Sequence, residues 1–284
     1  MRDFVYHRPG SIDEACQLAA ADGAMLLAGG QTLLRDMKRG LQAPASLVDI
    51  TGVVAKQIEY RDGAIAIAAG ATHAEVASSA VLHAELPVLA AVVGHIGDPA
   101  VRHRGTLGGA LAANESAGDY PAACLALDAS IQTTERDVAA TAFFLGHGRT
   151  VLAPGEIVTG ATFPVARQAA YVKLLHPAAR YALVGVFVAR APDGSPRVAV
   201  TGARADGAFC WREAETALTA AFAAERLRGV RLPLEGLAVD LFADAAYRSH
   251  LAQVLARRAV ALATSPAPGV IVLAHGAPAA QHRQ

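Results

Sequence analysis

Two glycine pairs, Gly29-Gly30 and Gly108-Gly109, constrain this chain more than any other feature of it. The first ends a short apolar run, Met25-Leu26-Leu27-Ala28, and precedes a helical pattern from Thr32 to Met37. Together these read as a strand, a tight turn and a helix start. The second lies in the glycine-dense turn Arg104-Gly105-Thr106-Leu107-Gly108-Gly109-Ala110. A glycine pair lets backbone N–H groups approach an anion with no Cβ in the way. A dinucleotide pyrophosphate is such an anion. On spacing alone, ordinary turns remain the alternative for both, because neither pair belongs to a Gly-x-Gly-x-x-Gly fingerprint or to a nucleotide-hydrolase phosphate loop.

The surrounding pattern divides into three units and a tail. Ser11-Ile12-Asp13-Glu14 has capping-box spacing ahead of a helix, and Leu47-Val48-Asp49-Ile50 reads as a second strand, so residues 1–55 form a small α/β unit. In residues 56–168, Asp62-Gly63 ahead of alternating Ile65 and Ile67 signals a hairpin. Helices follow at His73–Ser79, Pro87–Gly94 and Tyr120–Leu127, with strands at Ala129–Thr133 and Ile157–Phe163. Residues 169–263 read as three strands, Ala170–Leu174, Leu183–Ala189 and Arg197–Gly202, with helices at Arg212–Ala220 and Ala245–Ala263. In the tail, 264–284, the run Val270-Ile271-Val272-Leu273 is either a docking strand or frayed, and the expectation is a poorly ordered segment.

With 284 residues, two or three compact units sharing one cofactor cleft are expected. The 25 basic and 25 acidic residues balance and are scattered, which argues against nucleic acid or an anionic membrane as a partner. Cys16, Cys124 and Cys210 lie far apart with no Cys-x-x-Cys, so they read as reduced thiols rather than a disulfide framework, a zinc ribbon or an iron–sulfur site. Met1-Arg2-Asp3-Phe4 opens no apolar leader and no apolar run reaches membrane-spanning length, so a soluble, cytoplasmic protein without membrane insertion is expected. The ten histidines offer no ligand pair, and His73, His95 and His103 read as surface or capping residues; no Ser/His/Asp set is recognisable.

Ala28-Gly29-Gly30-Gln31-Thr32-Leu33-Leu34 and Thr106-Leu107-Gly108-Gly109 resemble the paired flavin-binding signatures of the FAD-binding medium subunit of molybdenum hydroxylases, the carbon monoxide dehydrogenase and xanthine dehydrogenase family. Further markers run through nearly the whole chain in order: Met37-Lys38, Leu47-Val48-Asp49-Ile50, Val101-Arg102-His103-Arg104-Gly105, Asp119, Leu125-Ala126-Leu127-Asp128-Ala129 and Tyr181-Ala182-Leu183-Val184-Gly185-Val186. The resemblance implies an α+β chain: a two-subdomain α/β FAD-binding fold of the PCMH type, then a C-terminal domain with a three-stranded sheet and helices. FAD would lie in the cleft between the subdomains.

By resemblance, Leu27, Ala28, Gly29, Gly30, Gln31, Thr32, Leu33 and Leu34 form the first cofactor segment, with the backbone from Gly29 to Thr32 on the pyrophosphate. Thr106, Leu107, Gly108 and Gly109 close from the second subdomain, and Asp119 accepts from a ribose hydroxyl. Ile157 or Val158 takes the place where the family lays an apolar side chain on the adenine; read from the residues alone, each is a plain strand residue. Lys173 matches a family lysine near the flavin ring, where an ammonium stabilises negative charge; taken alone it reads as an exposed salt-bridge residue. Ile96 falls near a position that contacts the cofactor in some relatives. Ala110 stands where the family usually has Asn, which removes one side-chain hydrogen bond, and Asn114 compensates only if its helix turns it back. Gln31 stands where covalently flavinylated relatives of this fold often carry histidine, so binding is expected to be non-covalent.

The function implied is electron relay: from a large molybdopterin-binding subunit through two-iron, two-sulfur clusters in a small subunit to this FAD, then to an external acceptor, in a dimer of heterotrimers. Two alternatives stand beside it, a self-sufficient non-covalent flavin oxidase or dehydrogenase, and a structural subunit that has lost FAD. The organic substrate and the terminal acceptor are not encoded in this chain's motifs.

Overall fold

The computed structural model describes residues 3–266 and 269–274. In its first unit, strands β1 (Val5–His7), β2 (Ala24–Leu27) and β3 (Ser46–Asp49) pair in parallel in the order β1-β3-β2, with helices α1 (Ile12–Ala19) and α2 (Leu33–Lys38) as crossovers. Ser11 caps α1 by accepting the Glu14 N–H at 3.2 Å, but the Glu14 carboxylate reaches back to the N–H of Gly10, one residue beyond a closed capping box. Ala15, Val48 and Ile50 form a small core here, completed by Ile157 from the next unit.

The second unit opens with a hairpin, β4 (Ile58–Arg61) to β5 (Ala64–Ala68), turned on Asp62 and Gly63, which both take positive φ as the Asp-Gly signal requires. Helices α3 (His73–Ala77), α4 (Ala80–Glu85), α5 (Pro87–Gly94), α6 (Pro99–Arg102), α7 (Leu107–Ala113) and α8 (Asp119–Ala126) follow. Then come β6 (Ser130–Thr133), β7 (Asp137–Ala139), α9 (Ala140–Phe143), the small hairpin β8 (Phe144–Gly146) to β9 (Arg149–Thr150), and β10 (Val158–Pro164). The sheet order is β4-β5-β10-β6-β7, antiparallel throughout. Every residue of α8 is buried, Asp119 included, because the helix packs against the third sheet on one side and against α5, α7 and α9 on the others.

The third sheet has the order β14-β13-β12-β11-β15, from β11 (Gln168–Leu175), β12 (Ala182–Arg190), β13 (Pro196–Thr201), β14 (Phe209–Cys210) and β15 (Val270–Leu273). The three strands legible in the sequence are its centre, so the expected three-stranded sheet is in fact five-stranded. Helices α10 (Arg212–Thr219) and α11 (Ala245–Ala263) cover its outer face. The tail expectation needs correction: Val270–Leu273 pairs in parallel with Tyr171–Leu174 of β11, because the apolar run covers an otherwise open sheet edge. Residues 267–268 and 275–284 of the expected poorly ordered tail lie outside the described residues. Among the described residues no helix is long and apolar enough to cross a membrane.

Candidate functional site

The first glycine loop joins β2 to α2. Gly30 has φ of 73°, and a Cβ on Gly29 would fall 2.7 Å from the carbonyl carbon of Arg104, closer still to its oxygen, so only glycine lets the two segments touch. Leu34 donates its N–H to the Gly30 carbonyl at 3.1 Å, and Thr32 caps α2 without a side-chain hydrogen bond. The five consecutive N–H groups from Gly29 to Leu33 donate to no protein acceptor among the described residues. Unpaired amides beside a φ-positive glycine, all but that of Gln31 at half-buried positions, are free to donate to an anion. Leu27, Ala28, Leu33 and Leu34 around them are all half-buried, and Gln31 is exposed.

The second loop is built the other way. Leu107 and Gly108 donate to the carbonyls of Ala71 and Ala69 at 3.0 and 2.9 Å, Gly109 to the Thr106 hydroxyl at 3.2 Å, and Ala110 to the Thr106 carbonyl at 3.0 Å. Sequence reading made this stretch a turn; it is the first turn of α7, capped by Thr106. Glycine's poor helix propensity hides that, and the reason for glycine is packing, since a Cβ on Gly108 would lie 2.7 Å from that of Ala69. What the loop presents outward is exposed Gly109 and half-buried Ala110.

Beneath this loop lies a histidine that the sequence read as a surface or capping residue at a helix start, and it does open α3. His73 is buried, its N–H donates to the Gly105 carbonyl at 2.9 Å, and a Cβ on Gly105 would fall 2.6 Å from its Nε2. Burial, helped by the Arg102 charge and opposed by Asp119, pulls the imidazole down to about 4, so it is neutral at pH 7. Its ring lies 5.4 Å from that of Tyr120, and His73 Nδ1 and the Tyr120 hydroxyl are both buried without a protein partner.

Lys173 of β11 is not an exposed salt-bridge residue. It is 0% exposed and its Nζ donates to Asp119 Oδ2 at 2.6 Å, while the Tyr171 hydroxyl donates to Oδ1 of the same carboxylate at 2.5 Å. Asp119 is the first residue of α8, where the helix dipole favours a carboxylate. The resemblance set Asp119 at a ribose and Lys173 at a ring; the structure joins them as one buried pair, with Lys173 also 3.5 Å from the His95 carbonyl. Burial and the carboxylate hold the Tyr171 phenol well above its ordinary range, so it remains a donor. No sequence signal singles out Tyr171.

The remaining candidates sort by position. Ile96 is half-buried next to His95, and its carbonyl accepts from Arg102 at 3.0 Å. Asn114 does not turn back toward Ala110: it ends α7 in the left-handed region and its amide donates to the carbonyls of Gly146 and Arg149 at 2.7 and 3.0 Å, pinning the β8–β9 hairpin. Ile157 and Val158 are 1% and 4% exposed, packed into the first and second cores respectively. Arg35 of α2, unforeseen, donates to Glu115 at 2.8 Å and to the Tyr181 hydroxyl at 3.1 Å, tying the first loop's helix to the other two units.

A parallel α/β unit whose glycine turn bares a run of amides, pressed against an antiparallel unit carrying a second glycine loop, is the architecture of a protein suited to an anionic, dinucleotide-sized ligand. Residues 2–166 match the family model described as the FAD binding domain in molybdopterin dehydrogenase. The chain is 31% identical to the carbon monoxide dehydrogenase medium chain of Hydrogenophaga pseudoflava, covering 90% of this chain and 96% of that one. It is similar to a chain of reconstituted CO dehydrogenase from Oligotropha carboxidovorans, with TM-score 0.84, 30% identity and coverage of 92% and 98%. Quinoline 2-oxidoreductase from Pseudomonas putida 86 is a further structural relative, with TM-score 0.81, 28% identity and coverage of 92% and 97%. The chain belongs to the FAD-binding medium subunits of the molybdenum hydroxylases, and is an oxidoreductase subunit.

Proposed function

We propose that this chain binds one FAD non-covalently and relays electrons from two-iron, two-sulfur clusters in a small partner subunit to an external acceptor, within a cytoplasmic complex whose large subunit carries molybdopterin. The observation that carries the reading is the run of unpaired amides from Gly29 to Leu33, on a loop that the bare Gly29 lets seat against Arg104 of the second unit. Bound there, FAD supplies reversible redox chemistry that no side chain of this protein can provide.

The chain's own residues bind and position. The amides from Gly29 to Leu33 face the pyrophosphate, and the Thr32 hydroxyl, free of capping duty, is available to the same anion. The α7 turn from Thr106 to Gly109 packs the second subdomain against the cleft, and Asp119 with Lys173 supplies a fixed charge pair behind it. Gln31 offers no imidazole for a covalent link to the flavin. The three free cysteines, at 16, 124 and 210, cannot make the four-thiolate set of an iron–sulfur cluster, which supports placing the clusters in a partner. A dimer of heterotrimers is the proposed assembly.

The test is the visible spectrum of the purified chain after incubation with FAD and desalting, repeated on the supernatant after acid precipitation. One FAD per chain, released by acid, is expected. Flavin that stays with the acid pellet contradicts non-covalent binding, and a chain that retains none, alone or with its partner subunits, contradicts the reading.

A further inference from the structure

A buried lysine and aspartate are costly to desolvate, and a third group bound to the same carboxylate decides how the pair's charge is shared and where the ammonium sits. Three elements converge on this pair: β11 brings Lys173 and Tyr171, α8 brings Asp119 at its first turn, and the end of α5 brings the His95 carbonyl. Tyr171 is fully buried, its ring 5.9 Å from Lys173 Nζ. The space its hydroxyl occupies exists because residue 185 lacks a side chain: a Cβ there would fall 2.9 Å from Tyr171 Cζ and closer to the hydroxyl. Gly185 sits opposite Lys173 in the β11–β12 register and takes φ outside the left-handed region, so the glycine serves this space and not a turn.

We propose that Tyr171 is a positioning residue for the flavin site, which, with Gly185 making room for it, holds Asp119 by its hydroxyl and thereby keeps the Lys173 ammonium fixed and only partly neutralised. This rests on the proposed function, in which the Asp119–Lys173 pair stands behind the cleft that holds FAD. Each Asp119 oxygen has one strong donor, so the phenol proton draws off part of the carboxylate charge that would otherwise fall wholly on the ammonium. Removing the phenol leaves a fuller negative charge beside Lys173 and frees the carboxylate to move. Both changes make the local field less positive and disfavour the negative charge that accompanies flavin reduction.

The experiment is a potentiometric titration of the FAD-loaded full chain, native against Tyr171→Phe and, separately, Gly185→Ala, with FAD content and melting temperature measured in each. Both variants are expected to retain FAD and to shift the two-electron equilibrium about tenfold against reduction, a midpoint about 30 mV more negative. Two chemically different substitutions reaching the same shift separate the positioning role from a local packing defect. A lower melting temperature with an unchanged midpoint in Tyr171→Phe overturns the inference while leaving FAD binding intact. Retention of FAD by neither native chain nor variant overturns the proposed function itself, and this inference with it.

Discussion

The two glycine loops have nearly the same composition and opposite hydrogen-bond economies. From Gly29 to Leu33 the amides are unpaired and Gly29 makes room for Arg104; from Leu107 to Ala110 every amide is taken by Ala69, Ala71 or Thr106, and Gly108 makes room for Ala69. A glycine pair therefore marks close approach, and only the fate of its amides says whether the approaching group is a ligand or the protein itself. Gly29 joins both themes, since its missing Cβ is what lets Arg104, just ahead of the second loop, seat against the first.

The largest effect that tests this contrast is expected from Gly29→Ala, whose Cβ forces the first loop off Arg104. FAD affinity should fall about a hundredfold or more, some 3 kcal/mol, by fluorescence titration of the full chain. An affinity within a factor of a few of the native value breaks the contrast.

His73, under the second loop, gives an effect of similar size on stability. Its folded value of about 4 lies below the 6.5 of the free side chain, so the unfolded chain binds the extra proton and stability is lost as pH falls from 6.5 toward 4. The loss is on the order of 3 kcal/mol, and urea unfolding across that range should show the slope flattened in His73→Gln. An unchanged slope means the imidazole is not held neutral beneath the loop.

Gly108→Ala should do to stability what Gly29→Ala does to binding: overpacking against Ala69 costs about 1–3 kcal/mol in denaturant unfolding, with FAD affinity changed less than tenfold. The smallest effect is expected from Ala110→Asn. Restoring the amide common in the family adds one hydrogen bond at the outward face of α7, about 1 kcal/mol or roughly fivefold in FAD affinity. A larger gain there would shift weight from the first loop to the second.

Much of this was legible in the residues. Asp62-Gly63 encodes its own turn, the apolar alternation of Ile65 and Ile67 places β5, and the run before Gly29-Gly30 places the strand that opens the cradle. Other features were hidden for physical reasons. α7 carries two glycines in its first turn, and the low propensity is overruled by the Thr106 cap and by the packing of Gly108 on Ala69. Lys173 lies in a strand buried on both faces, where alternation vanishes and a charged residue gives no hint of which way it points. Its partner Asp119 is 54 positions away, and Tyr171 reaches that carboxylate only because Gly185 leaves room. β15 is held by pairing with β11 across the whole third unit, a non-local contact that its short apolar run cannot announce.

The most direct test of the central claim is amide hydrogen exchange on the full chain with and without FAD, resolved to single residues. Without FAD, the N–H groups from Gly29 to Leu33 should exchange fast and those from Leu107 to Ala110 slowly; with FAD, the first set should become protected and the second remain nearly as it was. Protection gained at Leu107 to Ala110, with Gly29 to Leu33 still exchanging freely, would contradict the account.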